Sequence, residues 1–159
     1  MTTRINHFQA APALAKALSE ASIASHKSSL DPTIRNLIEI RVSQLNGCAF
    51  CLDMHVKQAK LKDERELRIH HLPIWRESPL FSAKEKAALA LAEALTRISE
   101  HGVGDELYRA MQEHFSETEL SELTFAIALI NTWNRLQILS RMTPGALDAA
   151  QGLDRANLH

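Results

Sequence analysis

In this chain β-branched residues never alternate with polar ones over a useful run, and only five glycines and five prolines punctuate its 159 residues. Half-buried strands need that period-two alternation, whereas apolar residues here recur at helical spacing, so the expected class is all-α. No internal repeat or interdomain linker divides the sequence. Residues 1–159 read as one helical domain, long enough to bury a single substantial core.

Start and stop signals partition that domain. A first helix, rich in Ala and Leu, is expected from about Pro12 to Lys27. A second opens at Asp31-Pro32, where Asp caps and Pro suits the first helical position, and runs to Asn46 before Asn46-Gly47 breaks it. The next extends from Cys48 to about Leu61, and a shorter one spans Asp63 to His71, with Leu72 to Leu80 as a connecting loop. Ser82-Ala-Lys-Glu85 is a capping box that opens a helix to about Glu100, with Ala87, Leu91, Ala94, Leu95 and Ile98 on one face. After His101-Gly-Val-Gly104 a helix covers Asp105 to Phe115, and a second capping box, Ser116-Glu-Thr-Glu119, opens a long helix to about Arg141. That last helix is apolar nearly all round between Leu123 and Trp133, as suits a central element or an oligomer contact.

Charge narrows the partners. With 18 basic against 19 acidic residues and no basic stripe, neither a nucleic-acid nor an anionic-membrane surface is expected, which leaves small neutral molecules. The longest apolar stretch, Leu123 to Ile130, is interrupted by Thr124 and too short to span a bilayer. Met1-Thr-Thr-Arg-Ile-Asn-His-Phe8 lacks the apolar core of a signal peptide, so a reducing cytoplasmic location is expected. There a CxxC pair reads as catalytic, redox-sensing or metal-binding before it reads as a structural staple.

The chemistry concentrates in Cys48-Ala-Phe-Cys51-Leu-Asp-Met-His55, which holds the only two cysteines. At 100° per residue Cys48, Cys51 and His55 share one arc with Leu52 and Ala59, while Asp53, Lys57 and Lys60 fall on the opposite, wet side. His55 lies one turn beyond Cys51 and within its reach; Cys48, roughly 10 Å from His55 along the axis, is not. Only a thiolate is a nucleophile. Backbone N–H groups at the helix start favour an anion at Cys48, whereas His55 can accept the proton of Cys51. The direct histidine partner makes Cys51 the expected attacking thiol and Cys48 the resolving one; the helix dipole alone reverses these roles.

Plainer readings stand beside this one. Buried cysteines often serve as small apolar residues. A closed zinc site needs a fourth protein ligand, and the chain has no second CxxC and no HxxxH; His70 and His71 would point about 100° apart on a helix, so neither metal nor cofactor is expected. Glu39, nine residues before Cys48, is the candidate acidic partner. It lies roughly 100° from the stripe of Ile34, Ile38, Val42 and Leu45, however, where a carboxylate is ordinarily solvated. Arg41 falls inside the apolar arc and either pairs across a subunit boundary or snorkels to water.

The run Glu39-Ile-Arg-Val-Ser-Gln-Leu-Asn-Gly-Cys48-Ala-Phe-Cys51-Leu-Asp-Met-His55 resembles the carboxymuconolactone decarboxylase-like superfamily in its alkylhydroperoxidase AhpD branch. Trp133-Asn134-Arg135 is similar to that family too, and the likeness extends over most of the chain. The resemblance implies an AhpD-like helical bundle that assembles into homo-oligomers, trimers or hexamers. It also implies thiol peroxidase chemistry on hydrogen peroxide or organic hydroperoxides. In that scheme Cys51 becomes a sulfenic acid, Cys48 condenses with it, His55 belongs to a proton relay, and a thiol or disulfide reductant resets the pair. The best-characterised members carry a glutamate twelve residues before the first cysteine and a histidine just before the second; here those positions hold Asn36 and Phe50. A subgroup carries glutamate nine before, which Glu39 matches. The superfamily's decarboxylases lack the thiol pair, so a peroxidase is the expected activity, with a non-enzymatic redox sensor or a general disulfide oxidoreductase as the alternatives.

Overall fold

The computed structural model describes residues 3–158, and every regular element among them is helical. The elements are α1 (His7–Ala10), α2 (Pro12–His26), α3 (Pro32–Asn46), α4 (Ala49–Leu61), α5 (Glu66–His71), α6 (Ala83–Thr96), α7 (Asp105–Gln112), α8 (Glu117–Ser140) and α9 (Asp148–Gln151). Single 3-10 turns follow α5 at Leu72–Ile74 and α9 at Leu153–Ala156. No helix among the described residues is long and apolar enough to cross a membrane.

The start signals are real caps. Asp31 accepts from the Thr33 N–H at 2.7 Å, and both capping boxes close reciprocally, Ser82 with Glu85 and Ser116 with Glu119. Two short elements lack a sequence signal of comparable strength. Asn6 accepts from the N–H groups of Phe8 and Gln9 to start α1, and the chain beyond Arg141 folds back as α9 and its 3-10 turn, burying Leu153 and Ala156.

The centre of the bundle is α3, not α8. Ile34, Leu37, Ile38, Ile40 and Val42 are buried on several sides of α3, which packs against α4, α6 and α8 at once. The long α8 leaves Phe125, Ile138 and Leu139 exposed on an outward face. The α6 helix stops at Thr96, four residues before the expected Glu100, so Ile98 is 67% exposed and leaves the apolar face assigned to it. Leu91 of the expected face is buried and Ala87 and Leu95 pack against the core, and the enclosed surface widens to Ala88, Leu89 and Ala92 because neighbours cover α6 on more than one side. Likewise α5 starts at Glu66 and α7 ends at Gln112, each shorter by a turn or less.

Arg41 finds its partner within the chain. Its Nε and Nη2 both lie 2.7 Å from Glu93 Oε1, and Glu93 also accepts from Trp75 Nε1 at 2.9 Å and Arg76 Nη1 at 2.6 Å. A pairing across a subunit boundary is therefore not needed. Burial pushes the Glu93 carboxyl up, but these three donors outweigh it and hold the group below the usual carboxylate range.

Candidate functional site

Two residues, Gly47 and Cys48, separate α3 from α4, and their backbone sets the whole site. Gly47 turns into the left-handed region (φ 69°) and donates to Gln44 O, while the Cys48 N–H reaches Ser43 O at 3.1 Å. That pair of bonds is a Schellman closure. No atom lies within 4 Å of where a Gly47 Cβ would stand, so the glycine answers a conformational need alone. Cys48 then takes an extended conformation as the N-cap of α4, its Sγ accepting from the Cys51 N–H at 3.3 Å. It stands at the helix terminus, not inside the helix as the arc argument assumes.

Side chains from α8 hold this corner. Asn46 Nδ2 donates to Asn131 Oδ1 at 3.0 Å and to Asn134 Oδ1 at 2.9 Å, and Asn134 Nδ2 donates to Ser43 Oγ at 3.2 Å. Trp133-Asn134-Arg135 therefore divides its work. Asn134 anchors the turn before Cys48, Arg135 bonds back to Asn131, and Trp133 turns the other way into a cavity.

The two cysteines form a disulfide, with Cα atoms 5.4 Å apart, and are only 2% and 1% exposed. Cys51 nevertheless lines a cavity of about 430 Å³, and Cys48 does not. The walls come from Ile23 and His26 on α2, Phe50, Met54 and His55 on α4, Leu129, Ile130 and Trp133 on α8, and Leu147 and Gln151 in the C-terminal segment. Phe8 of α1 closes over Trp133 in a stacked arrangement with centroids 6.1 Å apart, while Trp133 Nε1 donates to Ser22 Oγ at 2.8 Å. The lining is mostly apolar and aromatic, with a few convergent polar groups beside the sulfur, as in small-molecule sites generally.

Those polar groups include the pair singled out in the sequence. Glu39 is buried, 7% exposed, rather than solvated, because α4 and α8 pack on α3 and His26 at the end of α2 stands beside the flank that the apolar-stripe argument left open. Its Oε2 lies 3.3 Å from His55 Nδ1, which also contacts Gln58 Oε1 at 2.9 Å. Both partners of Nδ1 are oxygen acceptors, so Nδ1 carries a hydrogen and the Nε2 edge of the ring is turned away from them. Asn36 serves the backbone instead, its Nδ2 donating to the main-chain oxygen of His55 at 3.2 Å. Phe50 contributes an apolar wall.

Two side chains had no clear sequence signal. His26, at the end of α2, lies on the cavity rim with Nε2 3.6 Å from Glu39 Oε1. Lys57, expected on the wet side of α4, is 5% exposed, because the segment after α8 folds over it. Its Nζ sits 2.9 Å from Asp53 Oδ2 and 2.6 Å from Asp148 Oδ2, and Asp53 also accepts from the Gly145 N–H at 3.0 Å. The hydrogen bond to Asp148, with Asp53 alongside, holds the Lys57 ammonium above its ordinary value despite its burial. His71, one of the adjacent histidines, contacts Ser78 Oγ at 3.0 Å, and no cluster of three or more metal-ligating side chains occurs among the described residues.

Relatives share this arrangement of sequence and fold. The uncharacterized protein YdfG of Bacillus subtilis (strain 168) is 43% identical over 138 residues, covering 87% of this chain and 94% of that one. The uncharacterized protein YnjA of Escherichia coli (strain K12) is 35% identical over 130 residues, covering 81% of this chain and 67% of that one. The crystal structure of ATU0492 from Agrobacterium tumefaciens, a protein of unknown function with a suggested AhpD antioxidant role, matches with a TM-score of 0.86 at 38% identity. That match covers 91% of this chain and 99% of ATU0492. The sequence profile of the carboxymuconolactone decarboxylase family matches residues 9–94, which include the CxxC pair. The chain belongs to the carboxymuconolactone decarboxylase family, and its helical fold and Cys48–Cys51 pair are of the AhpD type.

Proposed function

We propose that the protein is a thiol-dependent peroxidase acting on organic hydroperoxides. The observation that carries this reading is Cys51, bonded to Cys48, facing an apolar cavity of about 430 Å³ that His55 and Glu39 also line. Hydrogen peroxide would gain little from Phe50, Met54 and Trp133, whereas an alkyl or aryl hydroperoxide would bury its apolar group among them.

In the reduced form, His55 Nε2 accepts the Cys51 proton and the thiolate attacks the outer peroxide oxygen. The S–O bond forms as the O–O bond breaks, and the leaving alkoxide takes that proton back from His55 to become an alcohol. Cys48 then attacks the Cys51 sulfenic acid; the disulfide forms and water leaves with the Cys48 proton. A small dithiol entering the cavity returns both cysteines to thiols and is itself oxidised to a disulfide. The burial of both sulfurs disfavours a general disulfide oxidoreductase, since a folded protein's disulfide could not approach Cys51 directly. We also propose a homo-oligomer, trimeric or hexameric, using the apolar outward face of α8, and a reducing cytoplasm as its compartment.

Steady-state consumption of cumene hydroperoxide and hydrogen peroxide with a supplied dithiol tests this. Turnover that prefers the organic substrate and vanishes in Cys51→Ser is expected. Full activity in Cys51→Ser would sink the reading, and a single stoichiometric oxidation without turnover would favour a redox sensor.

A further inference from the structure

Met54 lines the same cavity as Cys51 and stands three residues further along α4, so the two side chains leave the helix on neighbouring sides. It is half-buried and packs against the core, with Phe50 and Trp133 among the other walls. A leucine would fill that wall with nothing reactive. A methionine puts a second oxidisable sulfur beside Cys51. The other methionines among the described residues are placed differently: Met111 is 0% exposed on α7, Met142 packs against the core beyond α8, and neither lines the cavity.

We infer that Met54 is an oxidative modification site: once Cys51 is locked in its disulfide, an organic hydroperoxide entering the cavity converts the Met54 thioether to the sulfoxide. The outer peroxide oxygen bonds to the Met54 sulfur as the O–O bond breaks. The sulfur loses two electrons and the peroxide gains them, while the proton of the outer oxygen passes to the departing alkoxide, which leaves as the alcohol. The class of oxidant comes from the peroxidase reading, and the inference rests on it to that extent. While Cys51 is a thiolate it is the stronger nucleophile and takes the peroxide first. When dithiol runs short the disulfide has no thiolate to offer, and Met54 is the nucleophilic sulfur left in the cavity wall.

The product changes the site. A sulfoxide replaces part of an apolar wall with a polar group, and an apolar substrate then buries its ring against an oxygen stripped of water. Oxidation of Met54 is thus a brake on hydroperoxide binding, set when peroxide outruns the reductant.

The test exposes wild-type protein in the disulfide form, without dithiol, to cumene hydroperoxide or to hydrogen peroxide, and follows sulfoxide at Met54 and Met142 by peptide mass spectrometry. Hydrogen peroxide, which the apolar walls hardly retain, measures plain access. The ratio of Met54 to Met142 oxidation rates should be about tenfold higher with cumene hydroperoxide, whose ring the cavity concentrates beside Met54. Equal ratios with the two oxidants would overturn the inference. The brake is read as the Kd of cumyl alcohol, the product alcohol, by NMR titration of the same disulfide protein. It should weaken roughly fivefold on Met54 oxidation and stay constant when Met54→Leu protein receives the same treatment. A constant Kd in treated wild type, or equal weakening in Met54→Leu, would overturn the brake. Neither measurement needs turnover. Selective Met54 oxidation without steady-state peroxide consumption would remove the peroxidase reading and leave this inference standing; Cys51-dependent turnover with equal ratios would do the reverse.

Discussion

Lys57→Met removes the ammonium that fastens the C-terminal segment over α4 while keeping most of the aliphatic stem. The Oδ2 atoms of Asp53 and Asp148 both lie on Nζ, at 2.9 and 2.6 Å. They therefore stand no more than about 5.5 Å apart, where two like charges at an effective dielectric of 20 repel by about 3 kcal/mol. Partial exposure of both aspartates lets water screen part of this, whereas the lost attractions add to it. A net destabilisation of about 3 kcal/mol follows, at the low end for breaking a buried pair, or a Tm lower by roughly 6–12 °C for a chain of this size. Urea unfolding of the oxidised protein at fixed concentration measures the first effect. Hydrogen exchange over residues 143–156 measures the second, a loosened cavity wall at Leu147 and Gln151. Because the Lys57 pKa is raised in the fold, its contribution is complete at neutral pH and disappears only as pH climbs past the ordinary lysine value near 10.5. A loss below about 1 kcal/mol with unchanged exchange in that segment would refute the clamp.

Two further outcomes follow from side-chain geometry. The hydrogen bond from Lys84, with the Ser116 backbone behind it, lowers the Glu119 carboxyl from 4.5 to about 2. Its contribution is then full above pH 4.5 and fades as pH falls toward 2. Lys84→Met should cost about 1 kcal/mol at pH 6, and the difference from wild type in urea unfolding should shrink on acidification. Trp133→Ala should raise KM for cumene hydroperoxide by roughly 5- to 30-fold, the worth of 1–2 kcal/mol of lost apolar contact, while hydrogen peroxide kinetics stay within about twofold; equal losses on both substrates would point to a displaced Cys48 corner instead.

Most of the helical order was legible because its signals are local. Asp31, Ser82 and Ser116 cap their own helices through bonds within three residues, and Asn46-Gly47 encodes the turn that presents Cys48. The CxxC resemblance led to the right family for the same reason, since the motif is contiguous. What local pattern could not supply was which faces the tertiary fold would cover. Glu39 looked solvated and Lys57 looked wet because their enclosure depends on α2, on α8 and on a C-terminal segment that returns from some ninety residues away. His26 was invisible for the same reason, meeting Glu39 only when α2 packs beside α3. The balance between α3 and α8 is also a tertiary matter: α8 has the more continuous apolar run, but α3 is enclosed more completely, while Phe125, Ile138 and Leu139 of α8 stay exposed.

Everything proposed for the site turns on Cys51 being the sulfur that meets peroxide. Reduced Cys48→Ser protein, treated with one equivalent of cumene hydroperoxide and trapped with a sulfenic-acid reagent, puts this to peptide mass spectrometry. Full labelling at Cys51, with Cys48 in the reciprocal Cys51→Ser protein remaining a thiol, is the outcome expected from a cavity that Cys51 lines and Cys48 does not. Rapid oxidation of Cys48 in Cys51→Ser, with Cys51 unlabelled in Cys48→Ser, would contradict it and return the attacking role to the helix N-cap.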